Sequence, residues 1–378
     1  MSKIYYFDYA SSTPVDPGVT KKMNELEFGW VNPSAEYASA REARKIFEDS
    51  LQRIAQNLGV KSTEIVITSG GTEANNLALQ SFVGDDREVL ISSVEHASVI
   101  EPAKLGKHKT IKVKASGRLD IDDLKNKISD QTILVSVMLV NNEIGTIQPI
   151  REVAKVIDEV RKDRASRNIT SPIYLHTDAC QALNYIAVNP TRLGVDMMTV
   201  NSGKIYGPKS VGALYISSKV KDIYPQILGG GQQRSMRSGT ENVGGVYGFS
   251  LALEKAVKNH KSEEKRIADL RDSLLTSIFK ICPEAVVNGS LDNRIANNLN
   301  ISFPDQDNER LMMLLDEAGV CVATGSACSA SSDEPSHVLR AIGIGEPEIK
   351  SSLRITLGRG TDEEAISKLC QSLSNSLA

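Results

Sequence analysis

The 378-residue chain has no run of about 18 apolar residues, the length a membrane-spanning helix requires. Its opening residues, MSKIYYFDYASSTPVDP, hold no continuous apolar core of the secretory kind. Both absences lead to an expectation of a cytoplasmic protein without a membrane partner. Charge of one sign is missing too: 44 Lys and Arg stand against 47 Asp and Glu, a net charge of -3, and the basic residues are scattered. A surface built for nucleic acid is therefore not expected. The five cysteines, Cys180, Cys282, Cys321, Cys328 and Cys370, are odd in number and lack CxxC spacing. That argues against a disulfide framework and a structural zinc site, and leaves thiols. Internal repeats and low-complexity segments are absent, and KVKDIYPQILGGGQQRSMRSGT is the only long irregular connection.

What is present is an alternation. Short β-rich runs, EIVIT (64–68), EVLISS (88–93), ILVSVM (133–138), PIYLHT (172–177), MMTV (197–200) and GALYIS (212–217), are separated by stretches with helical spacing. The clearest of those stretches are Ala38–Leu58, Thr72–Val83 and Ile150–Arg164. This order predicts an α/β fold with a mostly parallel sheet. From about Val243 the pattern changes to long amphipathic helices through Cys282. NNLNISF, a helix near Asn308–Ala318, VCVAT, SSLRITL and a terminal helix from Thr361 follow, as in a smaller α+β unit.

Open α/β sheets bind ligands beyond the carboxyl ends of their strands. After EIVIT comes SGGTEANN, where a glycine pair and Thr72 at a helix start would cradle an anion or simply form a turn with a threonine cap. After ILVSVM come Asn141, Asn142 and Glu143, equally readable as turn formers. Asp178, with Gln181 one helical turn on, follows PIYLHT and could cap a helix; His96 follows EVLISS. Lys204 and Lys209 lie in a Gly/Pro loop, and for Lys209 the solvated-surface reading holds. Cys328 sits in ATGSACSASSDEPS, a small polar stretch where a buried structural thiol does not belong. It is an incidental loop cysteine or one that must meet something. An anion cradle, a lysine and a carboxylate together fit pyridoxal phosphate, which needs a phosphate anchor, a covalent amine and a partner for its ring nitrogen.

The chain resembles the cysteine desulfurases, in the aminotransferase-like fold of pyridoxal phosphate enzymes. The resemblance is carried in order by YFDYASSTPVDP, NPSAEYASAREAR, TSGGTEANN, EHASV, NNEIGTIQP, HTDACQA, KIYGPK, GGGQQRSMRSGT, GSACSASSDEPSHVLRA and SSLRITLGR. The segment around Cys328 is similar to that of the branch with a long, mobile catalytic loop. The resemblance implies a large pyridoxal phosphate-binding α/β domain over residues 16–255 and a smaller α+β domain formed by 1–15 with 256–378. It makes Lys204 the lysine that carries pyridoxal 5'-phosphate and Asp178 the partner of the pyridine nitrogen. Gln181 reaches the phenolic oxygen, His96 stacks on the ring and helps move protons, and Thr72 with Gly71 binds phosphate. Asn142 and Arg354 hold the substrate carboxylate, to which a planar guanidinium is suited. Thr240 reaches the cofactor of the other subunit, which implies a homodimer.

The implied reaction converts L-cysteine to L-alanine, with Lys204 taking the Cα proton and the Cys328 thiolate receiving sulfur as a persulfide. A sulfur-acceptor protein follows, an iron–sulfur cluster scaffold or a tRNA thiolation enzyme. An aminotransferase, a selenocysteine lyase and a non-catalytic scaffold of the same fold are the alternatives. One departure stands out. Relatives read Ser-x-His-Lys before and at the cofactor lysine, with Ser and His on the phosphate, whereas NSGK puts Asn201 and Gly203 there. Ser202 or the Asn201 amide would have to substitute, and histidine at position 203 is expected to tighten cofactor retention. Tyr37 stands where relatives often carry His, and the chain ends soon after SKLCQSLSNSLA, without the long tail by which some relatives hold a scaffold protein.

Overall fold

The structure, a computed structural model, describes residues 3–84, 86–221, 223–325 and 335–377. Its centre is a sheet of seven strands: β2 (Ile65–Thr68), β3 (Glu88–Ser92), β4 (His108–Ile111), β5 (Thr132–Ser136), β6 (Tyr174–Asp178), β7 (Met197–Asn201) and β8 (Gly212–Ile216), with β1 (Tyr5–Tyr6) lying elsewhere. The spatial order is β2-β8-β7-β6-β5-β3-β4, and β8 alone runs against its neighbours. Except for the edge strand β4, these strands are buried along almost their whole length, because helices cover both faces. Alternation sorts the side chains: Ile65 and Ile67 enter one apolar layer while Val66 enters the other. The first layer packs under α2 (Ala38–Leu58) and α6 (Ile150–Ser166); the second packs under α3 (Gly71–Gln80) and α4 (Ala97–Ala103). The remaining helices of this part are α1 (Pro17–Asn24), α5 (Ile121–Lys127) and α7 (Pro190–Leu193).

The 39-residue helix α8 (Val243–Ile281) follows, packed against α2, and the expected boundary between residues 255 and 256 falls inside it. A three-stranded antiparallel sheet comes next, in the order β12 (Ser352–Thr356), β10 (Asn298–Ser302), β9 (Val286–Val287), flanked by α9 (Asn308–Glu317) and α12 (Glu363–Leu377). β1 pairs in parallel with β11 (Val320–Cys321), and Asp8 bridges to Thr356, so the N-terminal residues run beside β12 before turning to the large sheet. Two short helices, α10 (His337–Ala341) and α11 (Glu346–Ile349), pack with Val94 and Met138 in a third apolar cluster. Among the described residues no helix is long and apolar enough to cross a membrane, and no group of three or more His, Cys, Asp or Glu could hold a metal ion.

Candidate active site

The carboxyl ends of β2, β3, β5, β6 and β7 open on one side of the sheet, and the chain places a polar residue just beyond each. His96 caps α4 after β3, Asn142 follows β5, Asp178 ends β6, and Lys204 closes a short 3-10 turn, Ser202–Lys204, after β7. β12 adds Arg354 from the smaller sheet. Gly71, Thr72, His96, Asn142, Asp178, Gln181, Lys204 and Arg354 line a single cavity of about 180 Å³, together with Asn75, Cys180 and Asn201. Thr72 is not the cap of α3: Gly70 is, at φ +151, a backbone conformation that side chains rarely permit.

A chain of hydrogen bonds orients the polar groups. Asp178, 7% exposed, accepts from Asn75 Nδ2 at 2.7 Å and from the Cys180 amide at 2.9 Å. Asn75 Nδ2 also donates to Ser98 Oγ at 2.8 Å, and Ser98 Oγ lies 2.7 Å from His96 Nδ1. The Ser98 amide donates to the same Nδ1 at 3.0 Å, so in the neutral ring the proton resides on Nε2. Asn75 thus links Asp178 to His96, a role not read from the sequence. The available signal was its place three residues after Thr72, on the same helix face. Lys204 Nζ donates to the Ala10 and Ser11 carbonyls at 2.7 and 2.6 Å, and Gln181 Nε2 donates to Ala10 O at 2.9 Å, so the N-terminal segment forms one wall. Arg354, 1% exposed, donates from Nη2 to Asp8 Oδ1 at 2.6 Å and from Nη1 to the Asn142 carbonyl at 3.4 Å.

Burial raises the proton affinity of two further acids, one beside the site and one on its wall. Burial, aided by the charge of Asp178, pushes the Glu95 carboxyl well above the usual range, and its Oε1 accepts from the Met138 amide at 2.7 Å. Burial, then the adjacent Asp178, pushes the Cys180 thiol well up, so this thiol on the cavity wall is not a ready nucleophile.

Two expected residues, Ser202 and Thr240, are not among those that line the cavity of the chain itself. Ser202 is fully buried and its hydroxyl faces Gly207, where an added Cβ would come within 2.2 Å of it. In the 3-10 turn Ser202 is directed into the packing beneath, whereas Asn201 lines the cavity. Thr240 is exposed and outside the lining. Cys328 lies outside the described residues, but the residues flanking its segment are tied to the rim. Ala323 exchanges backbone hydrogen bonds with Arg354, Ser336 Oγ donates to Glu143 Oε2 at 2.5 Å, and His337 Nε2 lies 2.9 Å from the Glu95 carbonyl.

Residues 5–369 match the aminotransferase class-V family. The chain belongs to that family. It is 42% identical over 376 residues to the cysteine desulfurase IscS of Dictyoglomus turgidum, covering 96% of this chain and 92% of that one. Among solved structures, a NifS-like protein from Rickettsia africae superposes with a TM-score of 0.89 at 31% identity, with 99% of both chains covered. SspA in complex with cysteine gives 0.78 at 31% identity, covering 93% of this chain and 98% of that one. Within the class-V family the chain groups with the cysteine desulfurases, which have the aminotransferase-like fold and use pyridoxal phosphate.

The site fits the cofactor of this family. A carboxylate fixed by two donors, the start of α3 with its first-turn amides, and a lysine all line the same cavity. The cradle also requires glycine: a Cβ on Gly71 would stand 2.8 Å from Cys180 Sγ, so backbone alone lines the wall there. A second cavity of about 260 Å³ continues from the first past Gly71, Thr72, Asn201 and Lys204 to Ser69, Gly70 and Lys209.

Proposed function

We propose that the chain is a pyridoxal phosphate-dependent cysteine desulfurase in which Cys328 takes the sulfur of L-cysteine. The observation that carries this reading is the convergence of Lys204, Asp178 and the Arg354–Asn142 pair on one cavity whose rim also holds both ends of the segment containing Cys328. Asp178 would face the ring nitrogen, Gln181 the phenolic oxygen, His96 the ring, and Gly71 with Thr72 the phosphate. The cofactor, when bound, supplies the electron sink that makes the substrate Cα acidic. Arg354 and Asn142 hold the substrate carboxylate, Lys204 Nζ takes and returns the Cα proton, and His96 Nε2 serves as a second proton carrier. The Cys328 thiolate attacks the substrate sulfur. An S–S bond forms, the C–S bond breaks with its electron pair going to the carbon skeleton, and protonation leaves L-alanine and a persulfide on Cys328.

A homodimer is part of the proposal. Thr240 is exposed in its own chain, and Trp30 and Leu228 are large apolar side chains 85% and 80% exposed, suited to cover by a second copy. The persulfide would pass to a cytoplasmic acceptor protein of the iron–sulfur scaffold or tRNA-thiolation type. Incubation of the purified protein with L-cysteine tests the reading. With reductant, alanine and sulfide should accumulate in equal amounts; without it, alanine should stop near one equivalent per active site. Formation of a keto acid in place of alanine would make the chain an aminotransferase.

A further inference from the structure

We propose that Lys209 supplies the cationic contact to the cofactor phosphate that relatives take from a histidine at the position of Gly203. The inference rests on pyridoxal phosphate being the cofactor and concerns how this chain holds its anionic end. As a loop lysine five residues from a better candidate, Lys209 reads in sequence as solvated surface, and its side chain is indeed exposed, yet its ammonium is held by backbone rather than by water alone. Its Nζ donates to the Thr13 carbonyl and, at 3.3 Å, to the Gly203 carbonyl, which fixes the ammonium above the backbone of residue 203. A Cβ built on Gly203 would stand 3.2 Å from Lys209 Cδ and 3.8 Å from its Nζ, so the lysine stem already fills the space that a side chain at 203 would enter.

The same ammonium lines the cavity that contains Gly70, Gly71 and Thr72 at the N-terminus of α3. An ammonium has three donors. Two are taken by Thr13 and Gly203, and among the described residues no third partner is present, so one donor remains for an anion. Partial burial, then the like charge of Lys204, lowers the proton affinity of Lys209. Two cations beside one helix N-terminus repel each other until an anion lies among them, and a phosphate dianion is the ligand that this arrangement favours. Glycine at 203 leaves the Lys209 side chain room to lie across the backbone there and bring its charge to the cavity.

Equilibrium titration of the apoprotein tests this, with cofactor absorbance as the readout. Pyridoxal phosphate is compared with pyridoxal, which lacks the phosphate, and thermal melting of each apoprotein checks the fold. If neither ligand binds the wild-type protein, the cofactor assignment fails and not the role of Lys209. Lys209→Gln should raise the Kd for pyridoxal phosphate about tenfold or more and leave that for pyridoxal unchanged. Lys209→Arg, which keeps the charge, should remain close to wild type. Gly203→His should not tighten binding in the wild-type background, because imidazole and lysine stem compete for one space, but should restore binding in Lys209→Ala, which removes the stem as well as the charge. Inorganic phosphate should compete with the cofactor in the wild-type protein and much less in Lys209→Gln, a comparison that still decides the matter if the melting temperature of the variant falls. The proposal is overturned if Lys209→Gln binds pyridoxal phosphate as tightly as wild type, or weakens both ligands equally.

Discussion

Arg354 is asked to hold the substrate carboxylate although it already makes a 2.6 Å ion pair with Asp8, and a pair of substitutions separates the two roles. The guanidinium is 1% exposed, while the Asp8 side chain is 18% exposed. Nη2 is spent on Asp8, Nη1 makes a long 3.4 Å contact to Asn142 O, and Nε has no hydrogen-bond partner among the described residues. Asp8→Asn removes the neutralising charge but keeps an oxygen acceptor. Breaking a buried pair outright costs about 3–5 kcal/mol, so this milder change should cost about 2 kcal/mol in urea unfolding. With its counter-charge gone, Arg354 should attract the substrate carboxylate at least as well, and KM for L-cysteine should stay level or fall. Arg354→Gln removes charge-assisted bonds to the substrate and should lower kcat/KM about 100-fold, equivalent to about 3 kcal/mol. Steady-state alanine release and urea unfolding on both variants give the comparison. If Asp8→Asn raises KM as much as Arg354→Gln does, or if Arg354→Gln leaves KM unchanged, Arg354 is a structural ion-pair member and the carboxylate is held elsewhere.

Lys204→Ala should abolish alanine formation, and borohydride reduction of the wild-type holoenzyme should fix the cofactor on the peptide containing Lys204; label on Lys209 instead would reverse the two lysine assignments. Burial lowers His176 to about 4 from its ordinary 6.5, its ring lying 2.8 Å from Ser136 Oγ and 3.1 Å from Thr199 Oγ1. Between those values the unfolded chain binds a proton that the folded chain refuses, so stability falls as pH drops through the window, by about 1.4 kcal/mol per unit. His176→Gln should remove that share of the slope in urea unfolding between pH 6.5 and 4.5, and an unaltered slope would show that another group carries the acid sensitivity. Cys180→Ala should retain alanine formation, because burial and Asp178 keep that thiol protonated; loss of activity with the cofactor still bound would give Cys180 a chemical role.

The apolar strands were legible because burial on both faces demands continuous apolar runs, and α2 because its spacing is regular over 21 residues. β4 was not: it is an edge strand, HKTI, whose Lys109 and Thr110 are exposed, so no apolar run marks it. The reversal of β8 left no trace in composition. α4 escaped notice because Pro102 interrupts its pattern. In the site, residues at strand ends could be found by position, whereas partners supplied from afar could not. Asn75 lies 103 residues from Asp178 and Asp8 lies 346 from Arg354, so only the fold makes them neighbours. Nor can spacing say which way one residue of a tight turn, such as Ser202, points.

The central claim is that sulfur from L-cysteine moves to one thiol of this chain, Cys328. Peptide mass spectrometry of holoenzyme treated briefly with L-cysteine and then alkylated measures this directly. The account predicts one added sulfur on the peptide containing Cys328. In Cys328→Ser it predicts no protein persulfide and little alanine, with the cofactor still bound. Sulfur added at Cys180, Cys282, Cys321 or Cys370 instead, with Cys328→Ser still releasing alanine, would contradict it.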